Sequence, residues 1–183
     1  MNLIIDIGNT TAKAALFNGN DIVEERRYGS LTTADTESIL TDHPHIEAAI
    51  LCSVGSYDKG VDELLSGSIA RFVQFGAETP VPIGNAYATP ATLGSDRLAA
   101  AVGAVSLYGA DKNLLIVDFG SAITVDTVLR GTFMGGNISP GASMRFRALA
   151  DYTAALPLCS LPDGDAPLAG SSTHEAIEAG VVR

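Results

Sequence analysis

The segment Asp6-Ile7-Gly8-Asn9-Thr10-Thr11 joins one carboxylate, one glycine and three side-chain hydrogen-bond donors at the end of a short apolar run. A glycine at a turn lets backbone N–H groups approach an anion with no Cβ in the way, and Asn9, Thr10 and Thr11 add donors beside them. Asp6 would repel a phosphate directly but is suited to hold a hydrated Mg²⁺ that accompanies one. The chemistry open to such a turn is therefore the gripping of a polyphosphate. An ordinary hairpin whose Asp and Asn cap the turn has the same composition, so a single copy leaves both readings open. Lys13 follows closely and could neutralise phosphate charge or, by strand alternation, face solvent.

A second copy shifts the balance. Asp118-Phe119-Gly120-Ser121-Ala122 repeats the pattern. Aligning Leu3 with Leu115 also pairs Asp6 with Asp118, Gly8 with Gly120 and Gly19 with Gly131 without a gap, five identities in 17 positions. They fall on the strand, the acid, the turn glycine and the hairpin glycine, which reads as a duplicated unit at an offset of 112 residues. Two phosphate loops facing each other grip a nucleotide from both sides. The candidate nucleotide-binding residues are Asp6, Ile7, Gly8, Asn9, Thr10, Thr11, Ala12 and Lys13, with Ser121 from the second copy. No G-x-x-x-x-G-K-[ST] occurs and no G-x-G-x-x-G follows a strand, which excludes the single P-loop and dinucleotide modes.

The elements that must carry these loops follow from pattern. Residues 3–7 read as a buried strand, and residues 12–17 run apolar to Asn18-Gly19, a hairpin signal, before residues 21–28, giving three antiparallel strands. Thr32 and Thr33 are N-cap candidates for a helix to about Leu40; residues 47–54 predict a strand, 58–65 a helix and 71–75 a strand. Residues 78–93 carry Pro80, Pro82 and Pro90, which favour a surface loop, and an alanine-rich helix follows over 95–107. Three further strands span about 114–137, with a helix after Gly141 and another starting at Thr173. This is an α/β order in two lobes, residues 1–110 and 111–183.

Composition removes several function classes. Of 183 residues, 46% are hydrophobic and 17% charged, so the chain should fold. A net charge of −10 with no basic cluster beyond Arg26–Arg27 argues against nucleic acid and anionic membranes as partners. No apolar run approaches the roughly 20 residues needed to span a bilayer, and the start carries no basic leader, so the expected location is the cytoplasm. Cys52 and Cys159 sit in apolar contexts and read as inert buried thiols, and none of His43, His45 and His174 has a ligand at zinc spacing. The roles of Arg145 and Arg147 stay open.

The paired phosphate loops resemble those of the superfamily containing acetate and sugar kinases, the heat-shock ATPase and actin. A closer resemblance begins at Gly94-Ser95-Asp96-Arg97. Type III pantothenate kinases carry a Gly-x-Asp-Arg element opening a helix between the two loops, together with an opening Asp-x-Gly-Asn-Thr. Gly135-Gly136-Asn137-Ile138-Ser139-Pro140-Gly141, Leu149 and Thr153-Ala154-Ala155-Leu156-Pro157 follow in the family's order.

The resemblance implies two ribonuclease-H-like lobes with a nucleotide cleft between them, and transfer of phosphate from ATP to pantothenate as the first step of coenzyme A biosynthesis. It implies that Asp96 is the catalytic base, that Arg97 meets the pantothenate carboxylate and that Gly94 and Ser95 offer backbone donors. Tyr87 would form part of the pocket wall. Thr173 matches a substrate-pocket threonine; it also reads as a helix N-cap, and both roles can hold together. Asp118 would hold a monovalent cation, K⁺ or NH₄⁺, Mg²⁺ would accompany the nucleotide near Asp6, and Ser121 stands where the family often has Thr. A homodimer is the implied assembly. A nucleotide-binding regulator and a sister small-molecule kinase are the alternatives, neither of which accounts for Gly94-Ser95-Asp96-Arg97. Family members continue beyond residue 183, so the second lobe is expected to be truncated, with weakened closure and low or no kinase activity.

Overall fold

A computed structural model describes residues 1–183. The elements are β1 (Asn2–Ile7), β2 (Ala12–Asn18), β3 (Asp21–Tyr28), α1 (Thr33–Asp42), β4 (Ala48–Ser53), α2 (Gly60–Ser68), β5 (Arg71–Phe75) and β6 (Gly84–Asn85). After a 3₁₀ turn at Pro90–Thr92 come α3 (Ser95–Tyr108), β7 (Asn113–Phe119), β8 (Ala122–Leu129), β9 (Thr132–Pro140), α4 (Ala142–Asp151) and α5 (Thr173–Val182). The chain divides into two compact units. One comprises Met1–Leu114 with Val128–Met134, the other Leu115–Thr127 with Gly135–Arg183.

In the first unit, five strands lie in the order β3-β2-β1-β4-β5, with β1 antiparallel to β2 and parallel to β4. That order is the ribonuclease-H-like one. Strand alternation decides what each face does. Leu3, Ile5 and Ile7 on β1, with Ala12, Ala14 and Leu16 on β2, are buried and pack with Ile39 of α1 and Val61 and Leu65 of α2. The intervening residues Asp6 and Lys13 face the other way and are exposed.

Local chemistry sets the helix starts. Thr32 caps α1 in a capping box, its hydroxyl accepting from the Asp35 N–H while the Asp35 carboxylate accepts from the Thr32 N–H. Asp58 lies just before α2 and ties it to α1, accepting from the Gly60 N–H at 3.0 Å and from the Thr33 hydroxyl at 2.6 Å.

Strands β7, β8 and β9 form a second sheet with the short β6, in the order β6-β9-β8-β7. The proline-rich segment is thus more ordered than a bare surface loop, because Gly84 and Asn85 pair in parallel with Thr132 and Phe133. Pro80 and Pro82 lie outside any strand, where no ladder N–H is needed. In the second unit Phe146 of α4, Ile177 and Val181 of α5 and Cys159 build a small buried cluster.

The turn ahead of α5 corrects one reading of Thr173. Ser172 is the N-cap, its hydroxyl accepting from the Glu175 N–H at 3.2 Å, and Thr173 is the first helical residue. No helix is long and apolar enough to cross a membrane.

Candidate functional site

The first loop leaves β1 at Asp6 and returns at β2. Its turn closes through the Gly8 N–H donating to the Thr11 carbonyl at 3.0 Å. Asn9, Thr10 and Thr11 are exposed around it. Asp6 sits directly across the strand pair from Lys13 and, on its other side, across from Cys52 of β4. Directly paired residues present their side chains on one face. Lys13 therefore brings its positive charge to the Asp6 face of the sheet.

Gly55, just beyond β4, fixes how deep this loop lies. A Cβ on Gly55 would overlap the Gly8 carbonyl oxygen and come within 3.2 Å of its carbonyl carbon. Only a residue without a side chain lets the two backbones approach this far.

The second loop repeats the device within its own unit. The Gly120 N–H donates to the Ala122 carbonyl at 3.0 Å, and the Gly141 N–H donates to the Ser121 carbonyl at 3.0 Å. A Cβ on Gly141 would overlap the carbonyl oxygen of Gly120. Asp118 and Ser121 are exposed at this turn. The hairpin glycines predicted to match, Gly19 and Gly131, both adopt positive φ, 62° and 72°.

Asp96 and Arg97 stand in the first turn of α3, where the positive end of the helix dipole favours a carboxylate. Asp96 is half-buried and its Oδ1 accepts from the Arg97 N–H at 2.8 Å. A Cβ on Gly94 would lie 2.5 Å from that same Oδ1, so Gly94 keeps the space the carboxylate occupies. Ser95 is buried and anchors the helix start to β4. Its hydroxyl accepts from the Cys52 thiol at 3.2 Å and donates to the Ser53 carbonyl at 3.4 Å.

Burial pushes the Cys52 thiol up, and the nearby Asp6 and Asp96 carboxylates push it further, against the Ser95 hydrogen bond. Cys52 is thus a half-buried neutral thiol flanked by both candidate acids. Asp6, Cys52, Ser95 and Asp96 form one cluster on the first unit, with Lys13 paired to Asp6 across β1 and β2.

Arg97 is only 6% exposed, and its guanidinium carbon lies 5.6 Å from the Tyr87 ring centroid and 5.8 Å from that of Phe133. Tyr87 therefore stands beside Arg97. Phe133, fully buried beside Arg97, is marked by no sequence signal. It occupies an inward position of a β-strand, and only the β6–β9 pairing brings it to the loop that carries Tyr87. A buried acid, Asp126 of β8 at 2% exposure, is likewise absent from the sequence-level candidates.

Thr173 lies in the second unit on a groove of about 800 Å³ between α4 and α5, which Arg145, Leu149 and Ile177 also line. Arg145 donates to the carbonyls of Pro140 at 2.9 Å and Val181 at 3.4 Å, which gives it a structural role at the end of α5. His174 has two side-chain neighbours: its Nδ1 is 3.3 Å from the Cys159 sulfur and its Nε2 3.1 Å from Glu178.

No group of three or more His, Cys, Asp or Glu side chains converges to hold a metal by itself. The exposed Asp6 carboxylate is the kind of single donor by which a Mg²⁺ that takes its other ligands from phosphate and water would be held. The open glycine turns with exposed hydroxyl and amide donors fit a polyphosphate in the same way.

The family model described as type III pantothenate kinase matches residues 2–183. A type III pantothenate kinase of Phocaeicola vulgatus is 42% identical over 184 residues, covering 100% of this chain and 75% of the relative. That of Christiangramia forsetii is 39% identical over 184 residues, covering 100% of this chain and 74% of the relative. Among solved structures, a candidate Baf family transcriptional activator from Campylobacter jejuni shares the fold. Its TM-score is 0.58 at 20% identity, over 98% of this chain and 73% of that one. The chain thus spans about three quarters of the length of the relatives it matches. With the family model running from residue 2 to residue 183, the chain belongs to the type III pantothenate kinase family.

Proposed function

We propose that this protein transfers the γ-phosphoryl group of ATP to the 4′-hydroxyl of pantothenate, the entry reaction of coenzyme A biosynthesis. The observation that carries the reading is the start of α3. There Asp96, Arg97 and the cleared space at Gly94 are fixed to the strand beside the first phosphate loop through Ser95, Cys52 and Ser53.

Asp96 is the catalytic base. It takes the hydroxyl proton as the oxygen attacks phosphorus, and a carboxylate suffices because the transition state is loose and demands positioning more than basicity. Arg97 meets the substrate carboxylate, Gly94 and Ser95 offer backbone donors, Tyr87 walls the pocket and Thr173 contributes from α5. The segment from Asp6 to Lys13, with Ser121, holds the phosphates, and Asp6 holds Mg²⁺, which neutralises phosphate charge when bound. Asp118 holds a monovalent cation, K⁺ or NH₄⁺. The enzyme acts in the cytoplasm as a homodimer, which light scattering of the purified protein checks.

The deciding experiment measures ADP release from ATP and Mg²⁺ with and without pantothenate. Pantothenate-dependent release should fall by about 10²–10⁴-fold in Asp96→Asn while nucleotide affinity holds. Unchanged turnover in a folded Asp96→Asn protein removes the base assignment.

A further inference from the structure

The Tyr87, Phe133 and Arg97 groups form a triangle with sides near 6 Å. The two ring centroids are 6.0 Å apart at an interplanar angle of 53°, and the guanidinium carbon lies 5.6 and 5.8 Å from them. Both guanidinium separations fall within the reach of a cation–π attraction, which strengthens where water is excluded. Two of the three groups are buried, Phe133 at 0% and Arg97 at 6% exposure, and Tyr87 is half-buried.

The arrangement is built from three separate segments. Asn85 of β6 pairs with Phe133 of β9, the Ala86 N–H donates to the Phe133 carbonyl at 2.9 Å, and the Tyr87 N–H donates to the Asn85 side chain at 3.0 Å. The loop carrying one ring is therefore pinned to the strand carrying the other, and Arg97 enters from the start of α3.

An arginine has a long stem with many rotamers, but its donors lie in one plane and recognise a carboxylate only when that plane is correctly aimed. Two fixed rings at nearly equal distances restrict that aim before any ligand arrives. We propose that Phe133 is a specificity-determining positioning residue. Its ring, with that of Tyr87, holds the Arg97 guanidinium so that the site takes an acceptor alcohol bearing a carboxylate in preference to its uncharged analogue. Phe133 touches no substrate in this role and acts through Arg97. The inference rests on the reading that Arg97 meets the substrate carboxylate.

The test compares pantothenate with pantothenol, in which a hydroxymethyl group replaces the carboxylate, by steady-state kinetics on the purified chain. Phe133→Met keeps the apolar volume and removes the ring face. It should raise the KM for pantothenate about tenfold, leave kcat within about twofold and leave the KM for pantothenol in place, so the preference for the acid collapses. Phe133→Tyr should retain the preference. A folded Phe133→Met protein that discriminates like wild type overturns the inference.

If Phe133→Met does not fold, pentafluorophenylalanine at 133 keeps the ring's shape and reverses its quadrupole. The KM for pantothenate should then rise, and an unchanged value overturns the inference. Arg97→Met separates the two claims. If it keeps the wild-type preference, the reading of Arg97 fails and the inference with it. If it loses the preference while Phe133→Met does not, the inference alone fails.

Discussion

Gly55 and Gly8 meet backbone to backbone, so a Cβ on Gly55 would overlap the Gly8 carbonyl oxygen and stand 3.5 Å from the Asn9 Cα. The neighbouring atoms belong to the main chain of the loop between β1 and β2 and cannot rotate away as a flexible side chain would. Gly55→Ala should therefore shift the loop, cost about 1–3 kcal/mol of overpacking and weaken nucleotide affinity by at least about tenfold. Calorimetric titration with a non-hydrolysable ATP analogue reads the affinity and thermal melting reads the cost. Gly103→Ala is the control. Gly103 lies inside α3 with nothing within 4 Å of the place an alanine methyl would take, so the change should stabilise by about 0.5–1 kcal/mol and leave affinity alone. Equal affinity in Gly55→Ala and wild type would show that the loop tolerates the displacement.

The role proposed for Asp118 predicts a salt-specific response. Asp118 is exposed at the second loop with no converging set of protein ligands, so a cation there completes its shell with other oxygens. Activity in Na⁺ or Tris buffer should be low and should recover on replacing NaCl with KCl at constant ionic strength. Asp118→Ala should lose that recovery. Equal rates in the two salts contradict the assignment.

Asp58 supplies a pH-dependent prediction about stability. Hydrogen bonds from the Thr33 side chain, then from the backbone N–H groups of Gly60 and Thr33, hold its carboxyl below the usual carboxylate range. A carboxyl depressed in the folded state contributes stability that is present above its unfolded pKa and is lost as pH falls through the folded value. Asp58→Asn should therefore melt below wild type at pH 7. The gap should narrow progressively below about pH 5, where unfolded carboxyls begin to bind protons. Melting curves from pH 7 to about pH 3 decide this, and a gap that stays constant across the range would falsify the linkage.

Most of the frame was legible because its signals are local. Asn18-Gly19 marks a hairpin through the positive φ that Gly19 adopts, Thr32 marks a helix start, and the apolar run over residues 3–7 marks β1 as a buried strand. Gly8 and Gly120 could be matched because each stands two residues after an aspartate at the end of an apolar run, although their turns close differently, the Gly8 N–H onto the carbonyl of Thr11 and the Gly120 N–H onto that of Ala122. What stayed hidden depends on pairing across sequence distance. Phe133 reads as an ordinary inward strand residue until β6, some 48 residues earlier, pairs with it. Cys52 reads as an inert buried thiol, and only the parallel register of β1 and β4 sets it beside Asp6. His174 reads as solitary, since Cys159 lies 15 residues away in sequence and meets it through the fold of the α4–α5 segment.

The position of Cys52 yields a chemical test of that register. Burial first, then the Asp6 and Asp96 carboxylates, raise the thiol, so the reactive thiolate is scarce at neutral pH. Replacing either acid with its amide removes a negative charge that disfavours the thiolate and should lower the thiol pKa. Alkylation of Cys52 by iodoacetamide at pH 8, followed by peptide mass mapping to separate it from Cys159, should accordingly be faster in Asp6→Asn and in Asp96→Asn than in wild type. Asp42→Asn, on the exposed end of α1, should leave the rate unchanged. If Asp6→Asn and Asp96→Asn both alkylate at the wild-type rate, the two carboxylates do not act on Cys52, and the clustering of β1, β4 and the start of α3 around the thiol is wrong.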